Sequence, residues 1–135
     1  MMLASDRKRD LGLRRATFAF RKVNAWSPSW AGEARALVQG LPVQVRSQGL
    51  LVTVGVLAGR SGSAGTELAT LVAEWVLGED LGLLHAPGAS VTVEDLLKVL
   101  SVVSRAEHVA AQRETILLLD QVKVFAKALA PRGAA

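Results

Sequence analysis

Residues that break or cap helices divide this chain into segments of helical length, and their spacing limits the folds that the chain can adopt. Clusters of Ser, Gly and Pro separate the segments, as at Ser27-Pro28-Ser29 and at Pro87-Gly88. The segments between them show no internal repeat and little of the two-residue alternation that marks a half-buried strand. The sequence therefore predicts an all-α fold, a compact bundle of about six helices in a single domain over residues 1–135, with a short disordered tail after about residue 130.

The same residues set the expected bounds of the first four helices, at 5–26, 30–39, 42–58 and 66–77. The second helix ends at Gly40, Pro42 opens the third because proline suits the first turn of a helix, and Thr66 caps the fourth. A buried strand over 50–56 is the alternative to the middle of the third helix, because Val and Gly are poor helix formers. A stripe of Val and Gly residues along that helix is expected to let the backbone of a neighbouring helix approach closely. Its members are Val45, Gly49, Val52, Gly55 and Val56.

Local residue pairs mark the starts of the last two helices. Thr92 followed by Asp95 is a capping pair, and Ser104 with Glu107 forms a complete capping box. The final helix then runs to about Leu129, before Pro131. Its 3.6-residue period predicts a buried face made of Ala111, Leu118, Val122, Phe125 and Leu129.

Basic and acidic residues are distributed unevenly along the chain. Residues 1–60 contain ten Lys and Arg against three Asp and Glu, whereas residues 61–135 contain six against nine. At about 100° per residue, most basic residues of the first helix fall along one side, which we call the cationic ridge. Its members are Arg7, Lys8, Arg14, Arg15, Arg21 and Lys22. The opposite side is expected to be buried and carries Leu13, Ala16, Phe20 and Val23.

A helix that packs by one face and exposes a cationic ridge suits a polyanion, most often a nucleic-acid backbone. A solvated helix face without a function is the alternative. The chain has three Phe and no Tyr, so no aromatic platform for base stacking is expected. Trp26, Trp30 and Trp75 are interpreted as core or interface anchors. Contact with the backbone is therefore favoured over base reading.

The sequence contains no pattern of catalytic or metal-binding residues. It has no cysteine, which excludes disulfides and thiolate metal sites and favours an intracellular location. His85 and His108 lack a ligand partner at the right spacing, and the loop 59–66 lacks the lysine of a phosphate-binding loop. The apolar run 50–58 is shorter than the about 20 residues that cross a bilayer, and no secretory signal is evident. We therefore predict a soluble cytoplasmic protein that is not an enzyme, holds no metal or cofactor and does not contact a membrane.

Two segments of the chain resemble a known family. Residues 41–53 read LPVQVRSQGLLVT, and residues 114–126 read ETILLLDQVKVFA. The Leu41-Pro42 step, the turn of helix at 47–50, Glu114 and the stretch 123–126 are similar to the Cmr small-subunit family, the small subunit of type III-B CRISPR effector complexes. The remainder of the chain matches that family by length and helix order.

The resemblance implies a small all-α subunit without catalytic activity. Its copies would stack inside a ribonucleoprotein filament, in contact with other Cmr subunits and with the backbones of guide RNA and target RNA. Gln121 and Val124 depart from the family, which often has an aromatic and a basic residue there, so a smaller positive patch on the last helix is implied. The candidate phosphate contacts are Arg14, Arg15, Arg21, Lys22, Arg46, Arg60 and Lys123.

The charge asymmetry also suggests how neighbouring copies meet, with the basic N-terminal region of one against the acidic C-terminal region of the next. Two other functions are compatible with the ridge. One is a helical DNA-binding regulator with a helix-turn-helix, and the other is an assembly module whose ridge binds an acidic protein.

Overall fold

The structure, a computed structural model, describes residues 4–78, 81, 83–84 and 91–131, with side chains from residue 10 onward. This part of the chain forms six helices and no strand, which confirms the predicted all-α class. His85 and residues 132–135, in the predicted tail, lie outside the described residues. The helices are α1 (Ala4–Asn24), α2 (Pro28–Gln48), α3 (Leu50–Gly59), α4 (Ser63–Leu77), α5 (Val93–Leu100) and α6 (Arg105–Ala128).

The second helix is longer than predicted, and the expected boundary at Gly40 is wrong. Helix α2 begins at Pro28, after Ser27 accepts a hydrogen bond from the Ser29 N–H, and it continues through Pro42 to Gln48. Proline removes one backbone donor from a helix interior. Pro42 is itself buried in α2, next to buried Leu41, so packing of this face compensates for the lost hydrogen bond.

The break between the second and third helices lies at Gly49 instead. Gly49 has φ 89° and ψ 159°, a conformation that residues with a side chain rarely adopt. Its N–H donates to the Val45 carbonyl, which ends α2. The Leu50 N–H, the first of α3, donates to Oε1 of Gln112 on α6 at 3.1 Å. A distant helix thus caps α3, and the strand considered over 50–56 does not form.

The fourth helix begins three residues earlier than predicted, at Ser63, so Thr66 lies inside α4 and does not cap it. Gly62 precedes the helix with φ 88°. A Cβ added to Gly65 would clash with the Leu57 carbonyl oxygen. The chain therefore needs glycine at 65, where the first turn of α4 approaches the end of α3.

The predicted caps of the last two helices are confirmed. The Thr92 side chain accepts a hydrogen bond from the Asp95 N–H at 3.1 Å. Ser104 Oγ accepts from the Glu107 N–H, and Glu107 Oε1 accepts from the Ser104 N–H, each at 3.2 Å. Both pairs are local, so the sequence alone determines them.

The core lies where α6 packs against α1 and α2, and where α4 packs against α2 and α3. Trp75 of α4 is fully buried at its centre. On α6, Ala111, Leu118 and Val122 are buried as predicted, but Phe125 is only partly buried, and Leu129, just after the helix, is 40 % exposed.

The stripe predicted for the third helix does not support close packing. Val52 and Val56 are about half exposed, and a Cβ at Gly55 would meet nothing within 4 Å. Only Val45, on α2, is buried. None of the described helices combines the length and the apolar character needed to cross a membrane.

Candidate nucleic-acid interface

Helix α1 is rotated relative to the prediction. Its buried residues are Phe18, Ala19 and Val23, whereas Leu13 and Phe20 are 68 % and 44 % exposed. The Phe18 ring packs against Trp75 with ring centroids 4.9 Å apart. The apolar residues of α1 occupy more than one side of the helix, so periodicity alone does not fix which side is buried. This rotation divides the cationic ridge between the protein interior and the surface.

Arg15 belongs to the interior side. Its Nε donates to Glu114 Oε1 at 2.5 Å, and a terminal guanidinium nitrogen donates to Oε2 at 3.0 Å. The Trp75 Nε1–H donates to the same Glu114 Oε1 at 3.1 Å. The Arg15 and Glu114 side chains are each 11 % exposed. Arg15 therefore joins α1 to α6 in what we call the Arg15–Glu114–Trp75 cluster, and it does not lie on an exposed ridge.

Lys22 is also engaged within the protein. Its ammonium group forms an ion pair with Glu74 of α4 and lies 5.5 Å from the centroid of the Phe18 ring. The Lys22 side chain is 29 % exposed. This residue therefore contributes to the packing of α1 on α4 more than to the outer surface.

Arg14 and Arg21 form the part of the ridge that faces outward. Arg14 is 3.6 Å from the exposed carboxylate of Asp10, one turn earlier. The Arg21 guanidinium lies 5.6 Å from the Phe18 ring centroid, and no ion pair to it is found among the described residues. Both arginines, with Thr17 between them, line a shallow cavity of about 220 Å³. We call this the α1 arginine pair. The side chains of Arg7 and Lys8 lie outside the described part of the chain.

The remaining predicted contacts are dispersed. Arg60, just after α3, lies 3.7 Å from Glu33 of α2. Lys123 is half-buried on α6. Arg46 is exposed on the last turn of α2, where it faces α6 rather than the α1 arginine pair. The structure thus does not gather the seven predicted residues into one site.

A second basic surface lies along α6, and the predicted set omits most of it. Arg46 and Arg113 line a groove of about 400 Å³ together with Leu117 and Asp120. An adjoining open depression of about 590 Å³ shares Val109 and Arg113 and adds Arg105. We call the two together the α6 groove. Arg105, Val109 and Arg113 recur at intervals of four residues, which is the sequence signal that indicates it.

The tryptophans do not form a stacking platform. Trp75 is buried, and Trp26 and Trp30 are half-buried with ring centroids 6.0 Å apart. Among the described side chains, no group of three or more His, Asp or Glu residues is arranged to hold a metal ion. His108 is half-buried in the second turn of α6.

Comparison with known proteins identifies similarity over most of the chain. A family model described as CRISPR-associated protein (Cas_Cmr5) matches residues 11–129. The fold is similar to the X-ray crystal structure of a CRISPR-associated Cmr5 family protein from Thermus thermophilus, with a TM-score of 0.73 and 24 % sequence identity. That match covers 90 % of this chain and 97 % of the other. No curated protein matches the sequence. The region matched by the family model includes both segments that carry the resemblance described above.

Proposed function

This chain belongs to the Cmr5 family of CRISPR-associated proteins, whose model matches it from residue 11 to residue 129, and we propose its function within that family. It is a small subunit of a CRISPR Cmr complex and associates with other Cmr subunits. The proposal is that it acts without catalysis in a type III-B effector. Its copies stack beside the guide RNA and its target and hold the RNA backbones, while base pairing reads the sequence.

The α1 arginine pair is the observation that carries RNA contact. Arg14 and Arg21 are seven residues apart, about 10 Å along the helix axis, and both are exposed on the same side. A guanidinium is always charged and can donate two parallel hydrogen bonds to a phosphate. The partner of Arg14, Asp10, is itself exposed, and exposed ion pairs of this kind contribute little. The pair is therefore available to a phosphate backbone.

The other predicted contacts have a smaller part in the proposal. Arg15, Lys22 and Arg60 have carboxylate partners within the chain, so phosphate contact would have to replace those ion pairs. Lys123 is retained as a secondary contact. Because the tryptophans are buried or packed on each other, the proposed contact is with phosphates rather than with bases.

A helix-turn-helix regulator is less well supported. Such a protein exposes polar side chains from a recognition helix that follows a tight turn. The helix after the tightest turn here is α3, and it contains no charged or amide residue. Its Val52 and Val56 offer only methyl groups to solvent.

The proposal is tested by charge reversal on α1. The variant Arg14→Glu with Arg21→Glu is compared with Lys98→Glu with Lys127→Glu, which changes the net charge equally at exposed positions on α5 and α6. Binding to a fluorescein-labelled single-stranded RNA is measured by anisotropy over a range of salt concentrations. Each phosphate contact contributes about 0.7 to the slope of log affinity against log salt, so losing two contacts should lower the slope by about 1.4. Equal slopes and affinities for the two variants would contradict the proposed contact.

A further inference from the structure

We propose that the α6 groove binds an amphipathic helix of another Cmr subunit, with acidic side chains along the flanks of its apolar face. This inference rests on the proposed function, because it takes the partner from the same complex. It assigns Arg46 to a protein contact rather than to RNA. It also gives a role to Arg105 and Arg113, which the RNA proposal does not use.

The exposed apolar side chains of the groove are spaced to match the apolar face of a partner helix. Val109 and Leu117 are 49 % and 41 % exposed, although both are aliphatic. They lie eight residues apart on α6, about 12 Å along its axis. Ile116, which lines the same groove, is partly buried and packs against the core. A helix repeats its apolar side chains at the same interval, so one face of a single partner helix can cover both positions.

The charged part of the groove specifies the partner's chemistry. Arg46, Arg105 and Arg113 have no ion-pair partner in the part of the chain that the structure describes. Asp120 lies at the opposite end of the groove from Arg105. Electrostatic complementarity therefore requires acidic residues over most of the partner helix and a basic residue at the end that meets Asp120.

An RNA strand fits this surface less well than a helix does. None of the groove's lining residues is aromatic, so bases would have nothing to stack on. The exposed aliphatic side chains offer nothing to phosphates, and the Asp120 carboxylate would repel them. A mixed surface of arginines and aliphatic residues is instead typical of the central region of protein interfaces.

A second copy of this chain is also a poorer occupant. The carboxylates described outside α1 and α6 lie on α2, α4 and α5, at Glu33, Glu67, Glu74, Glu94 and Asp95. The apolar residues of α4 and α5 are buried or partly buried in the core of their own chain, so neither helix presents an apolar face flanked by acids, and α2 carries a single acid. The apolar helix face of α3 carries no acid at all. A different subunit is therefore the partner that the charges favour.

Site-specific cross-linking identifies the occupant directly. Benzoylphenylalanine is placed at Val109 of the full chain, the complex is assembled with the other Cmr subunits and guide RNA, and cross-linked peptides are sequenced after irradiation. We expect a cross-link to an acidic amphipathic helix of another subunit. A cross-link to RNA, to a second copy of this chain, to a non-helical or basic segment, or to nothing would overturn the inference.

A competition experiment measures the contribution of the groove. Equal amounts of isotopically labelled wild-type chain and of the variant Arg113→Glu with Leu117→Asp are assembled together, and their ratio in the complex is read by mass spectrometry. We expect the variant to be depleted at least about tenfold, since loss of an interface anchor costs more than about 1.4 kcal/mol. The matched control, Lys127→Glu with Val124→Asp, makes the same kind of change beyond the groove and should enter at parity.

Equal entry of the groove variant and the control would refute the inference and leave the proposed function intact. If the wild-type chain itself does not enter the complex, the proposed function fails, and this partner fails with it. Circular dichroism of both variants establishes that the fold is retained, as expected for exposed positions.

Discussion

In the Arg15–Glu114–Trp75 cluster, one carboxylate joins side chains of α1, α4 and α6. Glu114 is 8 % exposed and accepts hydrogen bonds from both partners, so its carboxylate is satisfied only while both remain. Removing one member of a buried ion pair leaves an uncompensated charge. The cluster therefore holds α1 in its observed rotation on α6, and this rotation exposes Arg14 and Arg21.

Substitution of Arg15 should accordingly destabilise the fold. We expect Arg15→Ala to lower the free energy of unfolding by about 3–5 kcal/mol. Arg14→Ala, one residue away but exposed, should cost less than about 1 kcal/mol. Urea denaturation of the two variants gives the comparison. Equal losses would show that the Arg15 ion pair does not stabilise the native state.

A second substitution separates charge burial from packing. Arg15→Met combined with Glu114→Gln leaves no charge in the cluster, and the glutamine oxygen still accepts from Trp75. We expect the double variant to be more stable than Arg15→Ala alone, because an apolar replacement of a buried ion pair is often tolerated. Lower stability in the double variant would indicate that the geometry of the ion pair, rather than compensation of charge, maintains this site.

Single-residue environments are also where prediction from sequence is weakest. The partner of Arg15 lies 99 residues away, so no local pattern indicates that this arginine is withdrawn from the ridge. Arg14 and Arg21, seven residues apart, were correctly placed on one exposed side. The buried side was only partly correct, because the fit of Phe18 against Trp75 selects among several apolar faces of α1.

Two glycines with positive φ, Gly49 and Gly62, separate helices in the part of the chain that the structure describes. Gly49 separates α2 from α3, and the capping residue for α3 comes from α6. The sequence predicted the caps at Thr92 and Ser104 because their partners are three residues away. The predicted break between α2 and α3 was wrong, because Pro42 is accommodated inside α2 by burial in the core, and no local sequence pattern indicates that burial.

Two glycine substitutions in this region should have opposite effects. Gly49→Ala meets no close atom, the nearest being Gln112 Oε1 at 3.9 Å, so its cost is conformational, about 1–3 kcal/mol. Gly55→Ala, inside α3 with open space around the added Cβ, should stabilise by about 0.5–1 kcal/mol. Thermal melts of both variants test the assignment. Shifts of the same sign would place the helix break elsewhere.

Helix α6 provides a test of the core. Leu118 is fully buried, and Leu118→Ala should cost about 2–5 kcal/mol. Phe125 is only partly buried, so Phe125→Ala should cost less than the about 3–5 kcal/mol of a fully buried ring. Exposed Lys127→Ala should change stability by less than about 0.5 kcal/mol. A larger loss for Lys127 than for Leu118 in chemical denaturation would mean that the face assigned to the core is wrong.

For the protein as a whole, the count of seven predicted basic contacts overstates what is available to RNA. Three of the seven predicted contacts are in ion pairs with carboxylates of α2, α4 or α6. The α1 arginine pair alone provides few phosphate contacts. We therefore expect the free protein to bind RNA only weakly, with a Kd in the micromolar range or above at physiological salt.

Assembly into the complex increases the number of phosphate contacts beyond what a single chain provides. Copies held in register by partner subunits present their α1 arginine pairs together, and tethering raises their effective concentration at the RNA. We expect a monomer in analytical ultracentrifugation of the free protein. A stable two-fold dimer that binds one DNA duplex at nanomolar concentration would instead support a DNA-binding regulator.

Cross-linking of RNA to protein shows whether α1 contacts RNA when this subunit is within its complex. The complex is reconstituted with guide RNA and a target containing 4-thiouridine, irradiated, and digested for mass spectrometry. We expect nucleotide adducts on the α1 peptides that carry Arg14 and Arg21, and their loss when both residues are changed to Glu in a complex that still assembles. Assembly of the wild-type complex with adducts only on other subunits, or only on other helices of this chain, would contradict this expectation.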